Sequence, residues 1–437
     1  MNSFIIKNVN ILTMNDDKEI IENGAVIVNN DIIYDIGKED IIFKYKCKNI
    51  IDGKNGILMP GMINAHTHVP MVIFRSLGDD IPDRLKKYIF PMEKHFINKE
   101  AVSCGAEYGI AEMLLSGVTT FADMYYFEDE VAKASEKLGI RTVAGETIVN
   151  FPSPDSKNCY GGLDYSEKFI KKWKDSKLVI PAVSPHAPYT NDEEHLKKAF
   201  DIAEKYDVPI MMHLEEMPYE MEEYKEKYNM TPVQYLDSIG ILNERFVGAH
   251  LIYADKEDIE IMNKRKIGIV QNIGANAKAG KGVPPLREMQ LKKMKIGLGT
   301  DGPMSGNTLD IITQMQLTAK IQKLYNRDRS LFPAKDIVEM ATIGGARALN
   351  IDKYTGSIEK GKKADMVLIE TSSVNMQPIY DYYSVLVYSA NSSNVDTVIV
   401  DGNIVVKDKK LIKCNFKDLQ SCFKKLSDFI SKKKEEM

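Results

Sequence analysis

The chain carries an apolar run that ends on a pair of histidines, Ile57-Leu58-Met59-Pro60-Gly61-Met62-Ile63-Asn64-Ala65-His66-Thr67-His68. The run is apolar enough to be a buried strand. Side chains at positions i and i+2 of a strand point to the same side, so His66 and His68 can present two imidazole nitrogens to one point. This pair predicts the beginning of a site for a divalent metal ion.

Seven further apolar runs follow, and helix-like stretches separate most of them. Near-continuous apolar runs are typical of strands that are buried on both faces, as in a parallel sheet. Eight strand-then-helix units predict a (β/α)8 TIM barrel of the α/β class, with segments 307–324 and 334–349 as the helices of the last unit. The eight runs lie near residues 57–66, 117–125, 140–149, 177–186, 208–214, 245–252, 267–273 and 295–301.

Both ends of the chain differ from this middle part. Short β-like runs separated by turn residues occur in residues 3–52, 364–370 and 396–412. Neither end is long enough to form a packed sheet alone, so we expect them to pair into a small β-sandwich domain formed from both termini. The predicted organisation is a composite β-domain of residues 1–56 and 360–437, which includes a C-terminal helix, and a barrel of residues 57–359.

Composition narrows the class of protein. Hydrophobic residues make up 44% and charged residues 27% of the chain, as is usual for a globular protein. The net charge is −4, and no basic run is long enough to suggest nucleic-acid binding. We expect no membrane span and no signal peptide. Five cysteines without a C-x-x-C pair indicate free thiols in a reducing cytoplasm. The apolar helix surface of such a barrel favours a homo-oligomer, either a dimer or a tetramer.

Further polar residues end predicted strands, namely His186, His213, His250 and Asp301. In a (β/α)8 barrel the carboxyl ends of the strands meet at one mouth, so all of these residues would share one rim with the histidine pair. A lone H-x-H, or a lone histidine after a strand, is more often structural, but convergence of the whole set indicates a metal-dependent hydrolase. Three imidazoles and one carboxylate suit Zn²⁺, with Fe²⁺ or Mn²⁺ as alternatives. The expected ligands are His66, His68, His213 and Asp301.

The number of metal ions depends on strand four. A bridged two-metal site would need an extra anionic ligand there, and this sequence has His186, so we expect one metal and one activated water. His186 is expected to contact substrate, although it could instead shape its loop beside Pro185 and Pro188. His250 would orient or polarise the water, or act through a hydrogen bond to the ligand shell.

A carboxylate follows the histidine of strand five. Glu216 lies three residues after His213, where the chain can turn its side chain back over the site. In zinc deaminases a glutamate that is not a ligand carries protons, and we assign that role to Glu216, with Asp301 taking a proton from the water. The alternative is a carboxylate that stabilises the first turn of a helix, for which Glu215 is the natural candidate.

Several segments resemble those of the amidohydrolase superfamily, and the resemblance extends over nearly the whole chain. They are Pro60–His68, Ser184–Tyr189, His213–Glu216, Gly299–Gly302, and Gly344–Leu349 followed by Gly356–Asp365. Within the superfamily the chain is most similar to the 5-methylthioadenosine/S-adenosylhomocysteine deaminases, through Phe74–Pro82, Phe90–Glu93 and Phe121–Tyr125. That resemblance implies that Glu93 binds the ribose hydroxyls; the alternative is a charge on a helix surface.

The chain departs from that group around the substrate pocket. The group often has an arginine late in strand three, where this chain reads Ala144-Gly145-Glu146-Thr147, and the loop 150–163 has no arginine. The Ser-His-Asn-Pro element of strand seven is replaced by Val270-Gln271-Asn272-Ile273, and Gly302–Asn307 replaces a Ser/Asn-rich turn. The predicted metal ligands are unaffected, so these departures concern the substrate more than the reaction.

Three functional hypotheses follow. The first is hydrolytic deamination of an adenine-type nucleoside (methylthioadenosine, S-adenosylhomocysteine, adenosine or 5′-deoxyadenosine), which releases ammonia and an inosine-type product. The second is the same metal chemistry on another ring, such as guanine, pterin, cytosine, a triazine or a cyclic amide. The third, a non-catalytic scaffold, is disfavoured because all four expected ligands and Glu216 are present. Whether segment 78–98 covers the pocket or forms a subunit interface stays open.

Overall fold

The computed structural model describes residues 3–81 and 84–434 of the chain. Within these residues the strands form two eight-stranded sheets. In chain order the strands are β1 (Ser3–Leu12), β2 (Ile20–Asn29), β3 (Ile32–Lys38), β4 (Ile50–Pro60), β5 (Met62–Thr67), β6 (Val118–Tyr125), β7 (Arg141–Ile148), β8 (Val179–Pro185), β9 (Ile210–Leu214), β10 (Phe246–His250), β11 (Gly268–Gln271), β12 (Lys295–Leu298), β13 (Met366–Ile369), β14 (Val395–Val400), β15 (Asn403–Lys407) and β16 (Lys410–Leu411).

Helices fill most of the connections between these strands. In chain order the α-helices are α1 (Phe90–Phe96), α2 (Lys99–Leu115), α3 (Glu128–Leu138), α4 (Gly162–Trp173), α5 (Glu193–Tyr206), α6 (Pro218–Tyr228), α7 (Pro232–Ser238), α8 (Lys256–Arg265), α9 (Ile273–Lys278), α10 (Leu286–Leu291), α11 (Ile311–Asn326), α12 (Ala334–Glu339), α13 (Gly345–Ala348), α14 (Tyr382–Tyr388) and α15 (Phe416–Lys434).

Strands β5 to β12 form the predicted barrel. They are parallel and lie side by side in chain order. Every residue of β5, β6 and β7 is buried, as expected for strands covered on both faces. The sheet closes between its first and last strands, where the N–H groups of Thr300 and Asp301 each donate to the carbonyl oxygen of His66 at 3.1 Å. The (β/α)8 prediction is confirmed.

The predicted first strand, residues 57–66, is wrong in its extent because it combines two strands of different sheets. Residues 57–60 belong to β4 and pair with β13, and β5 begins at Met62. Gly61 lies between them, where an added Cβ would be 2.1 Å from the Thr119 hydroxyl oxygen. Both strands are buried and apolar, so the sequence pattern contains no signal at their junction.

The helices of the last unit also differ from the prediction. Segment 307–324 becomes helical only from Ile311, because the Asp310 side chain caps α11 by accepting from the N–H of Ile312 at 2.8 Å. Segment 334–349 is interrupted by a wide π-turn, Met340–Gly344, between α12 and α13. At Gly344 an added Cβ would be 2.4 Å from the carbonyl oxygen of Ile296, so the helix approaches the barrel strand more closely than a side chain would allow.

The second sheet combines strands from both termini, as predicted. Its order is β16-β15-β14-β13-β4-β1-β2-β3, with β1 and β4 parallel and the other pairs antiparallel. An apolar cluster that includes Phe4, Ile6, Val28 and Met366 packs on it. The C-terminal helix α15 lies elsewhere, against α2 of the barrel, where Phe423 stacks on Tyr108 with ring centroids 4.1 Å apart.

Candidate active site

The carboxyl ends of the barrel strands bring the predicted metal ligands together. His66 is in β5, His68 directly follows it, His213 is in β9 and Asp301 follows β12. The ligand atoms of His66, His68 and His213 lie within 4.8 Å of one another, and so do those of His66, His250 and Asp301. Five residues from four strand ends therefore surround one point.

Backbone carbonyls orient two of the imidazoles. His68 Nδ1 is 2.6 Å from the Met124 carbonyl oxygen, and His213 Nδ1 is 2.8 Å from the His186 carbonyl oxygen. A carbonyl oxygen only accepts, so both Nδ1 atoms carry a proton, and in the neutral form of each ring Nε2 exposes a lone pair. The two Nε2 atoms are 3.1 Å apart.

This arrangement fits a divalent metal ion. Two lone pairs at that separation repel unless a cation or a proton lies between them. His66 Nε2 is buried without a hydrogen-bond partner, and Asp301 Oδ1 is 3.3 Å from His68 Nε2. Although burial favours neutral His68, Asp301 raises its pKa to about 9, so this carboxylate attracts positive charge to the centre of the cluster. Nitrogen and carboxylate donors in this number are a common set for such ions.

The two consecutive glutamates after β9 diverge. Glu215 turns away from the mouth and accepts from the N–H of Val233, in the first turn of α7, at 3.2 Å. Glu215 therefore stabilises the start of α7 and not that of α6, the helix that follows it directly. The N–H of Glu216 donates to the buried side chain of Glu220 at 3.1 Å, which holds the backbone while the Glu216 side chain lines the cavity.

A histidine and a lysine flank the Glu216 carboxylate. Its Oε1 is 3.6 Å from His250 Nε2 and contacts the ammonium of Lys281. Burial raises the pKa of Glu216, but the charges of His250 and Lys281 outweigh it and lower the pKa to about 2. His250 is itself held by Asn276, whose Oδ1 is 2.8 Å from Nδ1.

The residues expected to contact substrate lie on the cavity wall. His186 Nδ1 is 3.1 Å from the Thr190 hydroxyl, and burial lowers the pKa of His186 to about 4. Glu93 is on α1 with only 5% of its surface exposed. Burial raises its pKa to about 7, against the opposing effects of Tyr125 and His68.

The cavity above these residues encloses about 470 Å³. Residues from 79–81 and 84–93 contribute to its wall, so part of the segment that the sequence left open covers the pocket. Its apolar members are Ile81, Leu85, Ile89 and Phe90. Asp79 links this wall to the segments that follow β11 and β12, because it accepts hydrogen bonds from Lys278 Nζ at 2.7 Å and from Asn307 Nδ2 at 2.9 Å. Pro82, part of one resemblance motif, lies outside the described residues.

Asn276 and Lys281 were not predicted from the sequence. Both belong to the stretch Asn272-Ile273-Gly274-Ala275-Asn276-Ala277-Lys278-Ala279-Gly280-Lys281, which follows barrel strand β11. Polar residues after the carboxyl end of a barrel strand are a general signal for a functional loop. The sequence alone could therefore have marked the loop, but not the partners of its side chains.

Comparison with known proteins agrees with this geometry. Residues 57–405 match the amidohydrolase family. The chain belongs to this family of metal-dependent enzymes, and its fold and donor set make the cluster a site for a divalent metal ion.

Individual relatives are similar over almost the full chain. The 5-methylthioadenosine/S-adenosylhomocysteine deaminase of Thermodesulfovibrio yellowstonii is 41% identical over 409 residues, which cover 92% of this chain and 93% of that protein. The 5-methylthioadenosine/S-adenosylhomocysteine deaminase 1 of Syntrophus aciditrophicus is 38% identical over 421 residues, covering 96% and 95%. The crystal structure of an adenosine deaminase from Xanthomonas campestris with bound zinc is 29% identical, with a TM-score of 0.96 and 98% of each chain covered. The resemblance stated from the sequence is confirmed.

Proposed function

We propose that this protein is a hydrolytic deaminase of adenine-type nucleosides, with methylthioadenosine, S-adenosylhomocysteine, adenosine and 5′-deoxyadenosine as the candidate substrates. The observation that carries the proposal is the position of Glu216, between His250 and Lys281, directly beside the metal-ligand cluster in the floor of one enclosed cavity. The names of the relatives at 41% and 38% identity support the same reaction and substrate class.

The ligands in this proposal are His66, His68, His213 and Asp301, which would hold one divalent ion. Zn²⁺ is favoured by the nitrogen-rich donor set and by the zinc in the related adenosine deaminase, with Fe²⁺ or Mn²⁺ as alternatives. When bound, the ion would lower the pKa of a water molecule towards neutrality and so supply a nucleophile.

The side chains around the cluster divide the proton transfers between them. Glu216 accepts the first proton of the water and passes it to the ring nitrogen, which makes the adjacent amino-bearing carbon electrophilic. Asp301 accepts the second proton and returns it to the amino group, which leaves as ammonia. His250, whose ring is held by Asn276, would polarise the oxygen that adds to the ring. The products are ammonia and an inosine-type nucleoside.

Two residues of the wall are assigned to the substrate. Glu93 is proposed to accept from both ribose hydroxyls, since a buried carboxylate can accept two hydrogen bonds from vicinal donors. His186, whose ring lies 6.2 Å from that of Phe90 and 4.8 Å from that of His213, is also proposed to contact the nucleoside. A base without a sugar would make no use of Glu93, which separates this proposal from deamination of free guanine, cytosine or a pterin.

The test is ammonia release by the purified, metal-quantified protein. The panel contains adenosine, 5′-deoxyadenosine, methylthioadenosine, S-adenosylhomocysteine, guanine, cytosine and a pterin. We expect turnover of nucleosides, and in Glu216→Gln a loss of at least ~100-fold with the metal content retained. Glu223→Gln, an exposed carboxylate on α6, is the matched control and should remain active. Activity on free bases alone, or an active Glu216→Gln, would contradict the proposal.

A further inference from the structure

Lys281 occupies an unusual place for a lysine. Its side chain is only 19% exposed, it lines the substrate cavity, and its ammonium contacts Oε1 of Glu216. A lysine normally keeps its charge in water, and burial of that charge is costly unless it is paired. The pairing with Glu216 accounts for the burial, but not for its position at the cavity floor.

The loop around Lys281 is built to hold it there. The N–H of Lys281 donates to the Asn276 carbonyl oxygen at 3.0 Å, and its own carbonyl oxygen accepts from the Tyr253 hydroxyl at 2.8 Å. The flanking Gly280 and Gly282 adopt φ of +62° and +127°, in the left-handed region that favours glycine. At Gly282 an added Cβ would be 3.0 Å from Ile252, so a bulkier residue would disturb the loop.

The contacts of Glu216 with His250 and Lys281 involve the same oxygen. His250 and Lys281 approach Oε1, which leaves Oε2 as the oxygen available to a ligand in the cavity. A glutamate side chain has several rotatable bonds, and two contacts on one oxygen restrict the carboxylate to one orientation. Asn276 connects the two holding groups, because its side chain bonds His250 and its carbonyl accepts from Lys281.

We infer that Lys281 is a positioning residue for proton transfer: it holds Oε1 of Glu216 so that Oε2 faces the ring nitrogen of the substrate. This inference rests on the proposed function. In the proposed reaction Glu216 begins and ends each turnover as a carboxylate, so a fixed ammonium on the far oxygen is compatible with both proton transfers. Lys281 itself neither loses nor gains a proton.

The kinetic test compares Lys281→Met, which keeps the unbranched stem of the side chain without its ammonium group, with Lys281→Arg, which keeps its charge. We expect Lys281→Met to lower kcat by roughly 10- to 100-fold while KM changes less than about threefold, because orientation matters in the transition state more than in binding. Lys281→Arg should recover most of the lost kcat. The matched control is Lys197→Met, on a lysine that pairs with Glu193 on the surface of α5 and should keep wild-type kinetics.

Metal analysis and a double-mutant cycle test whether Lys281 acts through Glu216 or through the metal site. Lys281→Met should retain its metal; loss of metal together with kcat would overturn the inference. The unfolding constants of Glu216→Gln, Lys281→Met and the double variant are measured in urea. We expect the effects of the two substitutions to differ from additivity by about tenfold, and additive effects would show that Lys281 and Glu216 do not interact. Wild-type kcat in Lys281→Met removes only the role of Lys281. A wild-type protein that deaminates no nucleoside removes the proposed function instead.

Discussion

At the scale of single residues, the site depends on groups that fix the direction of each side chain. The carbonyl oxygens of Met124 and His186 select the tautomers of His68 and His213, and the Asn276 amide does the same for His250. Such partners determine which ring nitrogen faces the metal position. They are backbone atoms or loop residues, so the identity of the histidines alone does not specify them.

If Glu93 binds the ribose as proposed, the affinity for ribonucleosides should depend on pH. A carboxylate accepts two hydroxyl hydrogen bonds only when ionised, and burial raises its pKa to about 7. The protonated form therefore grows as pH falls through that value. We expect KM for adenosine to rise as pH falls from about 8 to about 6, by up to about tenfold per unit below the pKa.

The control for this effect is 2′,3′-dideoxyadenosine, which lacks both hydroxyls. Titration of the metal site affects both substrates alike, whereas titration of Glu93 affects only the ribonucleoside. The measurement is the ratio of the two KM values across that pH range. Parallel profiles for both substrates would show that Glu93 does not bind the ribose.

At the scale of elements, segment 79–93 determines what can occupy the outer part of the cavity. It lines the cavity with the apolar side chains of Leu85, Ile89 and Phe90 as well as with charged residues. Besides Lys281, two cations line the cavity, and both are engaged: Lys278 contacts Asp79 at 2.7 Å, and Arg84 donates to the Met304 carbonyl oxygen at 2.8 Å and lies 3.5 Å from Asp79. A neutral 5′ substituent suits this wall better than an amino-acid group.

Removal of the charge of Asp79 should change substrate preference. Asp79→Asn removes the carboxylate partner of Lys278 and Arg84, so that they can pair with a substrate carboxylate, and a charge-assisted contact is worth about 1.5–3 kcal/mol. We expect kcat/KM for S-adenosylhomocysteine to rise roughly tenfold relative to methylthioadenosine. Asp80→Asn is the control, since it removes one negative charge from the same wall. An equal change in both variants would contradict the argument.

At the scale of the whole molecule, a buried ion-pair cluster joins the barrel to the terminal sheet. Arg141, the first residue of β7, donates from Nε to Asp365 at 3.0 Å and contacts Asp401 at 3.3 Å. Asp365 also accepts from the N–H of Asp401 at 2.7 Å. The side chains of Arg141 and Asp365 are 4% and 0% exposed, so the cluster lies inside the contact between the two sheets.

The variant Asp365→Asn should therefore destabilise the whole fold. Loss of one partner leaves a buried charge partly uncompensated, which costs about 3 kcal/mol. The control is Asp207→Asn, in an ion pair with Arg245 whose aspartate side chain is 84% exposed, where we expect less than about 1 kcal/mol. The measurement is urea unfolding, followed by circular dichroism and by the fluorescence of Trp173. Equal stability losses in the two variants would contradict the importance of the interface.

No described helix is both long and apolar enough to cross a membrane. The homo-oligomer and the cytoplasmic location expected from composition stay predictions.

The sequence by itself determined the barrel and the convergence of its site. Strand periodicity and the spacing of apolar runs are local properties, and parallel strands must bring their carboxyl ends to one mouth, so His66, His68, His213, His250 and Asp301 could be grouped without a structure. Glu216 followed from its spacing to His213.

Only the tertiary structure decided the rest. The division of the first run at Gly61 depends on pairing with β13, which lies about three hundred residues away in the chain. The contacts of Lys281 with Glu216, and of Asp79 with Lys278, join loops 65 and 199 residues apart. Loop conformation is set by such long-range packing and not by local propensity, so the sequence marks these loops without specifying which side chains meet.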